Sequence, residues 1–279
     1  MVSFAITHII SLRGLFLKAG ILGFLWLFLP FWIFLAAAFY FYFFPFFQPL
    51  RLALPFFLTL VMAAIYRSAD PGNVWFSVFI ALLFFLILGI KNLIFVNRFM
   101  AHQLLVFFLL FLTFLSFFSG FETWRSWTIS FFALGVSAIF LLLVKELADY
   151  YSPLESHGWK AVDEERAGAS QPEFREAKFR RGGSHGLASM LHNVESSRRR
   201  TFLTIGLGAL FIWQLCLILL FLPLNYFYQT ALLFLSAVLL IDILIEHLNN
   251  RLDRRKILAN FSIFFVFAAV ILVSARWGF

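Results

Sequence analysis

Asp242, Glu246 and His247 sit inside an apolar run near the end of the chain, and these are residue types that can do chemistry. A charged side chain near the centre of a membrane span costs about 2.5–3.5 kcal/mol on insertion scales, so each one needs a physical reason. Asp242 lies about 10 Å along a helix from Asn249, which places it inside the hydrocarbon edge. Glu246 follows at i+4 on the same helical face, and His247 is beside it. Lys145 closes an earlier apolar run together with Glu146. Depth matching predicts an ion pair from Lys145 to Asp242 or Glu246. Gln214 stands within a third run, next to Trp213. Such a set serves either a proton or solute path, or interface positioning and hydrogen bonding between helices.

Other chemistry has weaker support. His157, His185 and His192 are irregularly spaced in a polar stretch, without HxxxH spacing or a nearby cysteine, so no metal site is expected. GGSHG (182–186) lacks the Gly-x-x-x-x-Gly-Lys pattern of a phosphate loop. HExxH is absent, no run pairs a serine with a histidine convincingly, and the aspartates are scattered rather than clustered for Mg²⁺. No cofactor is expected, and catalytic residues cannot be assigned. The single cysteine, Cys216, excludes an intramolecular disulfide and a cysteine metal cluster.

The elements that must carry these residues follow from composition. The 279 residues are 62% hydrophobic and 13% charged, where a soluble domain has about 25% charged. Lipid can solvate that much apolar surface and water cannot. The 42 phenylalanines supply contact area without a polar atom. Apolar runs fall at about 21–44, 52–66, 74–90, 103–119, 127–147, 202–222, 224–248 and 257–274. They are apolar all round rather than alternating, and only a helix satisfies its own backbone in lipid. The expected fold is an all-α transmembrane bundle of about eight spans, with a kink near Pro30. Five spans fall in residues 20–147 and three in 201–279. Between them, residues 148–200 form a polar, partly helical loop.

In that loop, QPEFREAKFRRGG (171–183) carries helix start and stop signals. Leu187, Met190, Leu191 and Val194 then form a stripe on a helix that runs through Arg198, Arg199 and Arg200 into the sixth run. The net charge is +8. Placing the loop inside puts Arg51, Lys91, Arg98, Lys145, the loop and the 251–256 cluster inside, as the positive-inside rule requires. Arg180, Arg181, Arg198, Arg199, Arg200, Arg251, Arg254, Arg255 and Lys256 are then the expected contacts to anionic headgroups or to a partner protein. Nucleic acid is not an expected partner.

Eight spans leave a conflict, because they put Arg13 and Lys18 outside. Residues 1–19 are therefore expected to be an interfacial amphipathic segment. The alternative, an extra crossing or re-entrant turn at Pro30, would have no polar turn residues. The expected role is a non-enzymatic membrane scaffold or accessory subunit. A small-solute transporter or channel using Asp242, Glu246 and Lys145, and a lipid-acting membrane enzyme, are the alternatives. The start of the chain lacks a cleavable signal, and no glycosylation acceptor lies in an outer loop, which favours a bacterial inner membrane.

Overall fold

The structure, a computed structural model, describes residues 2–44, 52–69, 72–92, 94–95, 97–120, 128–148, 185–248 and 254–275, without the side chains of 2–11, 185–200 and 248. Nine α-helices occupy the described residues, and no strand is among them. They are α1 (Val2–Phe28), α2 (Phe31–Phe43), α3 (Ala53–Ala69), α4 (Val74–Lys91), α5 (Arg98–Ser119), α6 (Thr128–Ala148), α7 (His185–Leu220), α8 (Tyr226–Leu248) and α9 (Arg254–Ser274). Six segments are long and apolar enough to cross a membrane: α4, α5, α6, the Thr201–Leu220 part of α7, α8 and α9. The apolar helices α2 and α3 are shorter, at 13 and 17 residues.

Asparagine marks three helix starts. The side chains of Asn73, Asn97 and Asn225 accept from the backbone N–H of Trp75, Met100 and Phe227 at 3.0, 3.1 and 3.2 Å. Each satisfies an N–H that the first helical turn leaves without a partner.

Paired contacts give the helix directions. Gly23 meets Ser77 and Ala81, Phe16 meets Phe85 at 4.5 Å, and Lys18 lies by Asn92, so α1 and α4 are antiparallel. Phe34 meets Phe84 at 5.8 Å and Tyr42 meets Lys91 at the other end, so α2 and α4 are parallel. Hence α1 and α2 form an antiparallel hairpin about Leu29 and Pro30. Tyr42 stacks on Phe56 at 4.0 Å while Arg67 reaches Trp26 and Leu27, which turns α3 back again. In the second half, Gly208 packs on Leu240 and Leu244 while Gln229 bonds Leu219 O. Tyr228 bonds Ser274 O, and Glu246 pairs with Lys256. These contacts make α7, α8 and α9 successively antiparallel.

Two of the sequence expectations change. The run 21–44 is two antiparallel helices rather than one kinked span, so the first half holds six helices, not five spans. No boundary occurs at residue 19, because Val2–Phe28 is one helix of 27 residues, about 40 Å long. The physical reason is Pro30. It lacks an N–H and holds ψ at 141°, which breaks the helix, and α2 restarts from it with Ile33 N donating to Pro30 O at 3.0 Å. The continuous helix expected from Leu187 into the sixth run is present as α7, 36 residues long. The expected helix in 171–183 lies outside the described residues.

The core is densest in the first half. Trp26, Phe34, Tyr42, Phe56, Phe84 and Phe114 are fully buried there. α5 joins the halves, with Phe107 and Phe111 meeting Phe234 of α8 at 6.2 and 5.5 Å. α9 has no buried residue at all.

Candidate functional site

Two basic side chains, Arg67 and Lys91, hold the hairpin together. Breaking a helix leaves its last carbonyls without partners and its negative dipole end uncompensated. At the end of α1, Arg67 donates to the carbonyls of Trp26, Leu27 (2.8 Å) and Leu29 (3.3 Å). Its guanidinium lies 5.7 Å from the Trp26 ring centroid, and Trp26 Nε1 donates to Ala63 O at 2.9 Å. At the end of α2, Lys91 donates to Tyr42 O. Its ammonium sits 3.8 Å from the Tyr42 ring centroid and 5.8 Å from that of Phe43. Lys91 is 4% exposed. A cation enclosed this far is tolerable only with a carbonyl and ring faces around it. The sequence signal was a lone basic residue in the last turn of an apolar helix. The partner carbonyls belong to other helices, so local pattern could not supply them.

The five expected intramembrane residues stand on three helices: Lys145 on α6, Gln214 on α7, and Asp242, Glu246 and His247 on α8. Asp242, Glu246 and His247 are together on the last turns of α8 and are partly exposed. Glu246 pairs with Lys256 at 3.7 Å. Lys145 is exposed and pairs with neither Asp242 nor Glu246. Matching depth was therefore not enough to make the pair. Gln214 is exposed on α7, inside the span. Of the basic contact residues, Arg254, Arg255 and Lys256 are exposed at the start of α9, and Arg198, Arg199 and Arg200 lie within α7. Arg180, Arg181 and Arg251 lie outside the described residues.

A cavity of about 320 Å³ opens between α1 and the chain that follows α4, lined by Gly14, Leu15, Lys18, Asn92 and Ile94. The backbone folds back here, with Ile94 N donating to Gly89 O at 3.0 Å. Gly89 permits it, since a Cβ there would come within 2.3 Å of the Phe95 ring. Side chains on a helix lean toward its N-terminus, which carries the Lys18 ammonium toward the level of Gly14 and Asn92. The cavity thus joins one cation and one amide to an apolar wall. It contains none of the five expected residues, and no group of three or more possible metal ligands occurs among the described residues.

Comparison with known protein families, with curated proteins and with solved structures finds no match. The class of protein is defined by fold and hydropathy: this is an integral membrane protein built as an all-helical bundle.

Proposed function

We propose that this chain is a non-enzymatic membrane scaffold or accessory subunit. The observation that carries this reading is the contrast between its halves. The first half buries its aromatic side chains in a tight core, while α9 has no buried residue and presents Leu258, Phe265, Val266 and Val273 on one exposed apolar face. A single helix with no buried residue adds little to the chain's own stability and offers contact area to lipid or to a partner helix.

The orientation is loop-inside. With the α1–α2 hairpin, Arg13 and Lys18 join Lys91, Arg98, Lys145 and Arg254 at the loop end, and Arg67 is at the far end. That arrangement agrees with the positive-inside rule and removes the conflict left by eight spans. Anionic headgroups are the proposed lipid partners. Arg254, Arg255 and Lys256 would meet them at the inner face, and the Lys18–Asn92 cavity would take a phosphate between helices. A cytoplasmic partner would meet the loop and the first turns of α7.

The test is purification from native membranes in mild detergent. A scaffold retains a partner at fixed stoichiometry, keeps it when Asp242→Asn is introduced, and loses it when residues 171–196 are deleted. The reading fails if the chain purifies alone from native membranes. It also fails if Asp242→Asn abolishes solute flux into vesicles while expression and folding persist, because Asp242 and Glu246 share one helical face inside the span and would then be a transport path.

A further inference from the structure

We propose that α7 is a self-association surface, on which two copies of this chain pair so that their Gln214 amides hydrogen-bond to each other within the bilayer. At 100° per residue, one face of α7 carries Ile205, Ala209, Ile212, Cys216 and Leu219, all buried against the chain's own helices. The opposite face carries Leu203, Leu207, Leu210, Gln214 and Ile218, all exposed. Their spacing of four, three, four and four residues draws a straight stripe along the span, as in a helix–helix seam.

Gln214 is the exception in that stripe. It is exposed, and its amide makes no hydrogen bond within the described structure. It lies about 9 Å along the helix from Leu220 and about 20 Å from Thr201, the two ends of the span. Its Cβ leans toward the helix N-terminus, deeper into the hydrocarbon and away from the nearer interface, so the side chain is poorly placed to reach water. An amide in hydrocarbon needs a partner. Another copy supplies one without further design. A carboxamide is both donor and acceptor, so two of them satisfy each other. Chains inserted in the same direction place Gln214 at the same depth, and a two-fold axis along the membrane normal makes the contact isologous. This inference is independent of the scaffold reading, since a transporter could pair in the same way.

The test uses the full chain, singly labelled and reconstituted at decreasing density in vesicles of zwitterionic lipid with a minor anionic fraction. Subunits are counted by photobleaching. Wild type is expected to dimerise, with Gln214→Leu weakening the dimer about tenfold and Gln214→Asn weakening it less. In a Cys216→Ala background that keeps Gln214, oxidation should cross-link Leu210→Cys, on the same stripe, and Val266→Cys on α9 should remain monomeric. This second arm stands even if Gln214→Leu fails to fold. Wild type that is monomeric at every density overturns the proposal. So does a Gln214→Leu protein that pairs as well as wild type, or cross-linking at Val266→Cys equal to that at Leu210→Cys.

Discussion

Arg67 and Lys91 do at the residue scale what turn residues do in water. Each places a basic side chain on the carbonyl end of a helix that stops inside an apolar protein. Hydrogen bonds to charged groups contribute about 1.5–3 kcal/mol each, and the helix dipole adds to this. Arg67→Leu should therefore lower stability by about 2 kcal/mol or more, seen as a fall in Tm of about 5 °C in detergent. Arg67→Lys keeps the charge but not the fork that spans Leu27 and Leu29, so it should restore only part of the loss. Equal stability of Arg67→Leu and wild type would show that water or lipid caps α1 instead. The Glu246–Lys256 pair is the opposite case. Lys256 is mostly exposed, so Glu246→Gln should change stability by less than about 1 kcal/mol.

At the element scale, the α1–α4 seam depends on a close approach. A Cβ on Gly23 would lie 2.9 Å from Ala81 Cβ and 3.2 Å from Ser77 O, and Ser77 Oγ donates to Gly23 O at 2.8 Å. Gly20, one turn earlier, has open space. Gly23→Ala should force the helices apart and cost about 1–3 kcal/mol. Gly20→Ala should be neutral or slightly stabilising, since Gly in a helix costs about 0.5–1 kcal/mol relative to Ala. Thermal unfolding of the pair in one detergent checks the sign of both. Much of this scale was legible in the sequence. The apolar runs became helices, and the continuous helix from the loop into the sixth run is α7. The misread element was the first. Pro30 shows that a helix must break, but whether the chain kinks or reverses depends on who satisfies the freed carbonyls. The answer, Arg67, lies about 40 residues further on. Lys145 fails for a related reason. Sequence gives depth along a helix, whereas pairing also needs the rotation of each helix about its axis, which packing decides.

At the scale of the whole molecule, the hairpin fixes the direction in which each helix runs. It sends the start of α1 to the end where α6 finishes and the span of α7 begins, and it leaves the link between α3 and α4 at the far end. The exposed faces of α7 and α9 then lie on the perimeter of a bundle whose tight core is in its first half. All of this depends on α1 and α2 running in opposite directions. Single cysteines in a Cys216→Ala background test it most directly, using a membrane-impermeant maleimide on sealed cells. The account predicts that Gly72→Cys is labelled in intact cells and Arg13→Cys only after permeabilisation. Labelling of Arg13→Cys from the same side as Gly72→Cys would contradict it.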